Sequence, residues 1–268
     1  MPKQAEPILL RPTEQIVESN GLAVPRLEGY PHDAAEPARP AILVLPGGGY
    51  RGRANHEGHD VAEAFRERGF HAFVLHYRVA PARYPESYLD TVAAMQHLRG
   101  NAAAYGIRPD AIAICGFSAG GHLAGSLGVF ADKAYPGVPA GADLSGSRPD
   151  AMILCYPVIS FGKYGHQGSA ENLLGKNPPD SLRATLSLEA QVSAATPPTF
   201  LWHTSNDGAV PVENSLLFAD ALKKNGVPFE LHVFPEGKHG LGLAPDQPRI
   251  SQWADLAAAW LRETFGKG

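Results

Sequence analysis

Ser118, Asp207 and His239 are the residues whose types and settings suggest chemistry. Ser118 lies in Gly116-Phe117-Ser118-Ala119-Gly120, directly after an apolar run at 111–115 and directly before a helix-like stretch at 121–130. A G-x-S-x-G segment between a strand and a helix makes a nucleophile elbow, because small flanking residues allow a turn tight enough to expose the serine oxygen. That oxygen then stands at a helix N-terminus, where backbone N–H groups favour negative charge. A serine hydroxyl is a weak nucleophile until a base takes its proton, so a histidine and an orienting carboxylate must follow. Asp207 occurs in Asp207-Gly208-Ala209-Val210-Pro211, just past an apolar run, and His239 in a Gly-flanked loop after the run Phe229–Phe234. Chemistry of this kind also needs donors for an oxyanion. Pro46-Gly47-Gly48-Gly49-Tyr50 follows a buried-type run at 41–45, and the N–H groups of Gly48, Gly49 and Ala119 are assigned that role. Tyr50 and Phe117, beside the loop and the nucleophile, are candidates for the pocket wall.

These segments need a scaffold that brings them to one edge. Short β-type runs at 41–45, 71–77, 111–115, 151–156, 199–203 and 229–234 alternate with longer helix-type segments. Such alternation predicts a mostly parallel sheet covered by helices on both faces, with its site at the carboxyl ends of the strands. Tyr88, Val92 and Met95 recur at helical spacing within 86–99, and Ile250, Trp253, Ala254, Ala257, Trp260 and Leu261 do so near the end. Residues 1–40 carry weaker strand signals near 7–10 and 22–27, consistent with an antiparallel edge. Between Pro157 and Pro198 the chain turns Gly-, Ser- and Pro-rich, with helix-like pieces at 170–174 and 180–190. A connection this long is usually functional, and it reads as a small lid-like insertion.

The 268 residues fit one domain that buries about 70–75% of its unfolded surface and needs no disulfide or metal to hold it. With 44% hydrophobic and 19% charged residues, a disordered chain is excluded. Lys plus Arg number 23 against 27 Asp plus Glu, a net charge of −4 that argues against nucleic-acid partners. No window approaches the ~20 apolar residues of a membrane span. The first fifteen residues lack the basic-then-apolar pattern of a signal peptide, so a cytoplasmic protein is expected. Cys115 and Cys155 read as buried thiols. In His56-Glu57-Gly58-His59 the histidines lie three apart with a glycine between them, unlike the i, i+4 pair of a zinc helix, so no metal site is expected. No G-K-[ST] follows the glycines at 47–49, which argues against a phosphate-binding loop. Self-association is left open.

Together with Tyr77-Arg78-Val79-Ala80-Pro81, Tyr156-Pro157-Val158-Ile159 and Val210-Pro211-Val212-Glu213-Asn214-Ser215, these motifs resemble bacterial α/β-hydrolases of the acetyl esterase and acetylxylan esterase-like group, relatives of feruloyl esterase-like hydrolases. The likeness spans about residues 40–265. The chain order Ser, Asp, His is also that of α/β-hydrolases. The resemblance implies an α/β-hydrolase fold, a cofactor-free serine esterase with Ser118 as nucleophile, His239 as general acid/base and Asp207 as its orienter, and a small-molecule or carbohydrate ester as substrate, with acetyl preferred. Pro46 departs from the His that opens the glycine loop of hormone-sensitive-lipase-type esterases. Feruloyl or general carboxylesterase activity, a prolyl-oligopeptidase-like peptidase and a non-catalytic binding protein are the alternatives.

Overall fold

Apolar runs rich in Val, Ile, Leu and Ala become the central strands here because those strands are covered on both faces. The computed structural model describes residues 8–10, 24–33 and 38–266. The parts of the expected strands at residues 7 and 22–23 lie outside the described residues. The strands are β1 (Ile8–Leu9), β2 (Arg26–Tyr30), β3 (Arg39–Leu45), β4 (His71–His76), β5 (Ile107–Phe117), β6 (Ala151–Cys155), β7 (Thr199–Thr204) and β8 (Phe229–Phe234). They form one sheet in the order β1-β2-β4-β3-β5-β6-β7-β8. Pairing is parallel from β4 through β8, while β1 and β2 add the antiparallel edge expected from the N-terminal signals. The second of those strands runs later than its signal, through Tyr30.

Side chains alternate across a strand, so each central strand feeds two cores. Leu43, Leu45, Ile112, Ile114, Met152 and Leu154 belong to one apolar cluster; Ile42, Val44, Ala113, Cys115, Ile153 and Trp202 belong to the other. On the first face lie α2 (Glu86–Gly100), α4 (Ala119–Val129) and α7 (Glu213–Lys224), and on the second α1 (His59–Glu67) and α8 (Trp253–Phe265). The stripe Tyr88, Val92 and Met95 is buried as its spacing predicts. In the last helix Trp253, Ala254, Ala257 and Leu261 are buried, whereas Ile250 packs from just outside the helix and Trp260 is half-buried. The short helix α3 (Ala102–Tyr105) leads into β5. Cys115 and Cys155 are free and buried.

The 157–198 segment folds as α5 (Gln167–Leu174), α6 (Asp180–Thr185) and a 3₁₀ turn at Leu188–Ala190. Its Val158, Ile159, Phe161, Leu173, Leu186 and Leu188 join the α4-side core. The stretch at 180–190 is therefore not one helix. Ser187 adopts an extended conformation (φ −85°, ψ 106°), and its hydroxyl donates to the Arg183 carbonyl at 2.9 Å and accepts the Phe161 N–H at 3.0 Å. A side chain that satisfies outside backbone in this way competes with helix continuation.

Candidate active site

Ser118 links β5 to α4 with φ 52° and ψ −118°. Positive φ is costly for a non-glycine residue and persists where the surroundings over-determine it. Here the surroundings are backbone. A Cβ on Gly116 would lie 2.2 Å from the Gly120 carbonyl oxygen, and one on Gly120 would lie 2.2 Å from that of Leu45. The Ser118 N–H donates to the Cys155 carbonyl at 3.0 Å, and its own carbonyl accepts from His122 and Val158 at 3.1 and 3.0 Å. The turn is thus pinned between β6 and the first turn of α4.

His239 Nε2 lies 2.8 Å from Ser118 Oγ, and His239 Nδ1 lies 2.7 Å from Asp207 Oδ2. With the proton on Nδ1 directed at the carboxylate, Nε2 is left to accept from the serine hydroxyl. Asp207 Oδ1 accepts the N–H groups of Ala209 and Val210, both at 2.9 Å. Burial alone raises the pKa of this carboxyl. Hydrogen bonds from His203, His239 and the two backbone N–H groups outweigh that and hold it well below the usual carboxylate range. The His239 loop is tied to the β7 end, where Asn206 Oδ1 accepts the Gly237 N–H at 2.9 Å and Thr204 Oγ1 donates to the Gly237 carbonyl at 2.8 Å. A groove of about 630 Å³ runs past His239, bounded by Asn206, Ala209, Glu236, Lys238 and Gln247.

The glycine loop closes over the nucleophile. Gly48 and Gly49 have φ 129° and 64°, and a Cβ on Gly48 would lie 2.4 Å from the Gly52 carbonyl oxygen. The Gly48 carbonyl accepts from Arg51 and Gly52, and the Gly49 carbonyl accepts from Asn172 Nδ2 at 2.9 Å. The N–H groups of Gly48, Gly49 and Ala119 find no acceptor among the described residues.

Two of the expected pocket residues lie elsewhere. Phe117 is fully buried against Tyr156 and Trp253 on the α8 side of the sheet, because the residue before the serine is still in strand alternation and points away from the site. Tyr50, 2% exposed, sits inside the opposite core beside Tyr77. Its hydroxyl donates to His122 Nδ1 at 2.8 Å, while His122 Nε2 donates to the Leu186 carbonyl at 2.9 Å. His56 and His59 diverge, with His56 Nε2 donating to the Gly240 carbonyl and His59 Nδ1 lying 2.9 Å from the Tyr30 hydroxyl.

Sequence reasoning missed two residues. Glu57 is 2% exposed. It accepts the Gly47 N–H at 2.7 Å and the Tyr156 O–H at 2.6 Å. The Tyr156 oxygen in turn accepts the Gly242 N–H at 2.8 Å, and its ring packs 5.1 Å from that of His239. One carboxylate therefore ties the glycine loop to the loop carrying His239. The second is His203, fully buried behind Asp207, its Nε2 3.5 Å from Oδ2. In sequence Glu57 shows no role at the site, because its partners are 10 and 99 positions away.

Comparison with known proteins fits this geometry. The chain is 44% identical over 228 residues to endo-1,4-beta-xylanase B of Butyrivibrio fibrisolvens, covering 84% of this chain and 36% of that protein. It is 31% identical over 213 residues to an acetylxylan esterase of Xylanibacter ruminicola, covering 77% and 42% respectively. The chain thus spans less than half the length of either relative. An acetyl ester-xyloside bifunctional hydrolase from Caldicellulosiruptor lactoaceticus superposes with a TM-score of 0.88 at 45% identity, covering 97% of this chain and 96% of that one. The BD-FAE family model matches residues 28–222. With this match, those relatives and a mostly parallel sheet under helices, the chain belongs to the BD-FAE family of feruloyl esterase-like α/β-hydrolases.

Proposed function

We propose that the chain is a serine carboxylesterase that removes short acyl groups, acetyl first, from carbohydrate esters such as acetylated xylan or xylo-oligosaccharides. The observation that carries this reading is the line Ser118–His239–Asp207 at 2.8 and 2.7 Å, beside three N–H groups at the elbow and glycine loop that find no acceptor among the described residues. Ser118 Oγ attacks the ester carbonyl as His239 Nε2 takes its proton, forming a tetrahedral oxyanion held by Gly48, Gly49 and Ala119. Collapse breaks the ester C–O bond, and His239 returns the proton to the departing alcohol. Water, deprotonated by His239, then attacks the acyl-enzyme and frees the acid and Ser118. Every proton is accounted for by these three side chains and water.

The acetyl and carbohydrate parts of the reading are supported by the names of the relatives, an acetylxylan esterase and an acetyl ester-xyloside hydrolase. The reading treats the chain as a single catalytic domain, with residues 157–198 as a small cap whose Asn172 steadies the glycine loop at Gly49. A cytoplasmic setting belongs to the same proposal, supported by two thiols held free and buried. The test is acetate release from acetylated xylo-oligosaccharides, beside a panel of 4-nitrophenyl acetate, butyrate, octanoate and feruloyl ester. Ser118→Ala lowers turnover at least about 10³-fold, and a loss within tenfold overturns the assignment. Rates that rise beyond butyryl, or a preference for feruloyl, overturn the acetyl reading while leaving the nucleophile in place.

A further inference from the structure

Pro46, which opens the glycine loop, also lines a separate cavity of about 360 Å³, at the small end of the range that holds ligands. It opens at the same sheet edge as the candidate active site. Arg26 opens β2 and pairs in register with His76, the last residue of β4, while Arg53 follows the glycine loop. Among the described residues that line it, two arginines and two histidines stand against a single carboxylate. No acceptor is found for the Arg26 guanidinium among the described residues, and Arg53 gives one N–H to the Tyr77 carbonyl at 2.6 Å. Glu28 is the one carboxylate among the described lining residues, and it is engaged by His76 Nε2 at 2.9 Å and the Tyr30 hydroxyl at 2.6 Å. Asp90, which also acts on Arg53, is gripped by the Arg78 fork.

Two arginines that line one cavity and lie close enough to act on each other repel. Burial, the larger cause, and Arg26 both push the Arg53 pKa down, and burial, then Arg26 and Arg53, do the same to His76 against the pull of Glu28. A bound anion relieves that repulsion. The guanidinium fork matches carboxylate and phosphate oxygens in paired hydrogen bonds, which an ammonium or imidazole cannot reproduce. Asn55 and His59 also line the cavity and present amide and imidazole groups suited to hydroxyls.

We propose that this cavity binds the oxyanion group of a monosaccharide-sized ligand, a sugar carboxylate or a sugar phosphate, between Arg26 and Arg53. The site is separate from the Ser118 chemistry and its test reads binding, so it stands or falls independently of the esterase reading. Calorimetric titration of the full chain with D-glucuronate, D-glucose 6-phosphate and D-glucose is the experiment. Saturable binding of at least one anion, without binding of glucose, is expected. Arg26→Gln weakens that binding at least about tenfold. The same variant keeps the parent's far-UV circular dichroism spectrum and melting temperature, which shows that it is folded. Glucuronate alone binding identifies a carboxylate source, glucose 6-phosphate alone a phosphate, and both a general oxyanion site. Failure of both anions to saturate, equal binding of glucose, or unchanged affinity in Arg26→Gln overturns the proposal.

Discussion

Ser118 stands on the central strand β5 and is crowded by backbone, whereas His239 comes from a loop after the edge strand β8 and leaves 23% of its side chain exposed. Around the serine, every residue of α4 is buried, and glycines at 116 and 120 leave no room for a methyl group. Around the histidine, β8 is mostly half-buried, and the loop is held by single hydrogen bonds donated by Thr204 and His56 and accepted by Asn206 and Tyr156. A nucleophile that must hold a strained turn is secured by sterics, which are local and unforgiving. A base that must accept and return a proton is secured by distributed polar contacts, any one of which contributes little alone.

The largest effect should fall on the carboxylate that orients the base. Asp207→Asn keeps an oxygen for the Ala209 and Val210 N–H groups but loses the charge facing His239, so kcat should fall about 10³–10⁴-fold with KM nearly unchanged. Steady-state kinetics on 4-nitrophenyl acetate decides this, and a loss under tenfold would mean that the base arm does not depend on its acid.

Gly120→Ala probes the other arm. The new methyl meets the Leu45 and Pro46 carbonyl oxygens at 2.2 and 2.6 Å, backbone that cannot swing aside, and should cost about 3 kcal/mol or more in urea unfolding. A variant as stable as the parent would show the elbow to be less tightly packed than its geometry indicates.

The nucleophile arm also carries a pH dependence of known sign. Burial pushes His122 down to about 4, against the pull of the Leu186 carbonyl. The unfolded chain titrates near 6.5, so between those values it binds more protons than the folded one. Stability is full above about pH 6.5 and is lost as the pH falls toward 4, by up to about 3 kcal/mol from this residue. Melting curves from pH 7 to 4.5 should show a steeper decline for the parent than for His122→Gln, which can still bond Tyr50 and Leu186. Parallel curves would remove His122 as the cause.

Glu57 belongs to both arms, so Glu57→Gln sharpens the comparison most directly. A carboxamide cannot accept from Gly47 and Tyr156 through both of its terminal atoms. The glycine loop and the His239 loop should therefore loosen together, lowering kcat about 10–100-fold with little change in KM. A change in KM alone would assign Glu57 to the pocket rather than to the positioning of the two loops.

The elbow could be read from five consecutive residues because its requirement is local: only glycine fits beside a strained serine, and a strand must precede it and a helix follow. The central strand runs were likewise legible, since a strand buried on both faces must be apolar throughout, and β6 emerged within one residue of the bounds that its pattern predicts. Phe117 and Tyr50 show where that reading ends. Their positions in the chain put them next to the chemistry, yet strand alternation turns one into the α8-side core, and a left-handed backbone (φ 57°) with a buried His122 partner holds the other in the opposite core.

The sequence by itself determined the residue types able to do the chemistry, the alternation that yields a doubly covered parallel sheet, and the glycines that permit a sharp turn, because each is a constraint between near neighbours. Only the tertiary structure decided that Glu57 is buried between Gly47 and Tyr156, that His203 backs Asp207, and that Arg26 and Arg53 line one cavity. Those are pairings between distant parts of the chain, and desolvation and hydrogen-bond satisfaction act on them only after the strands have taken their order in the sheet.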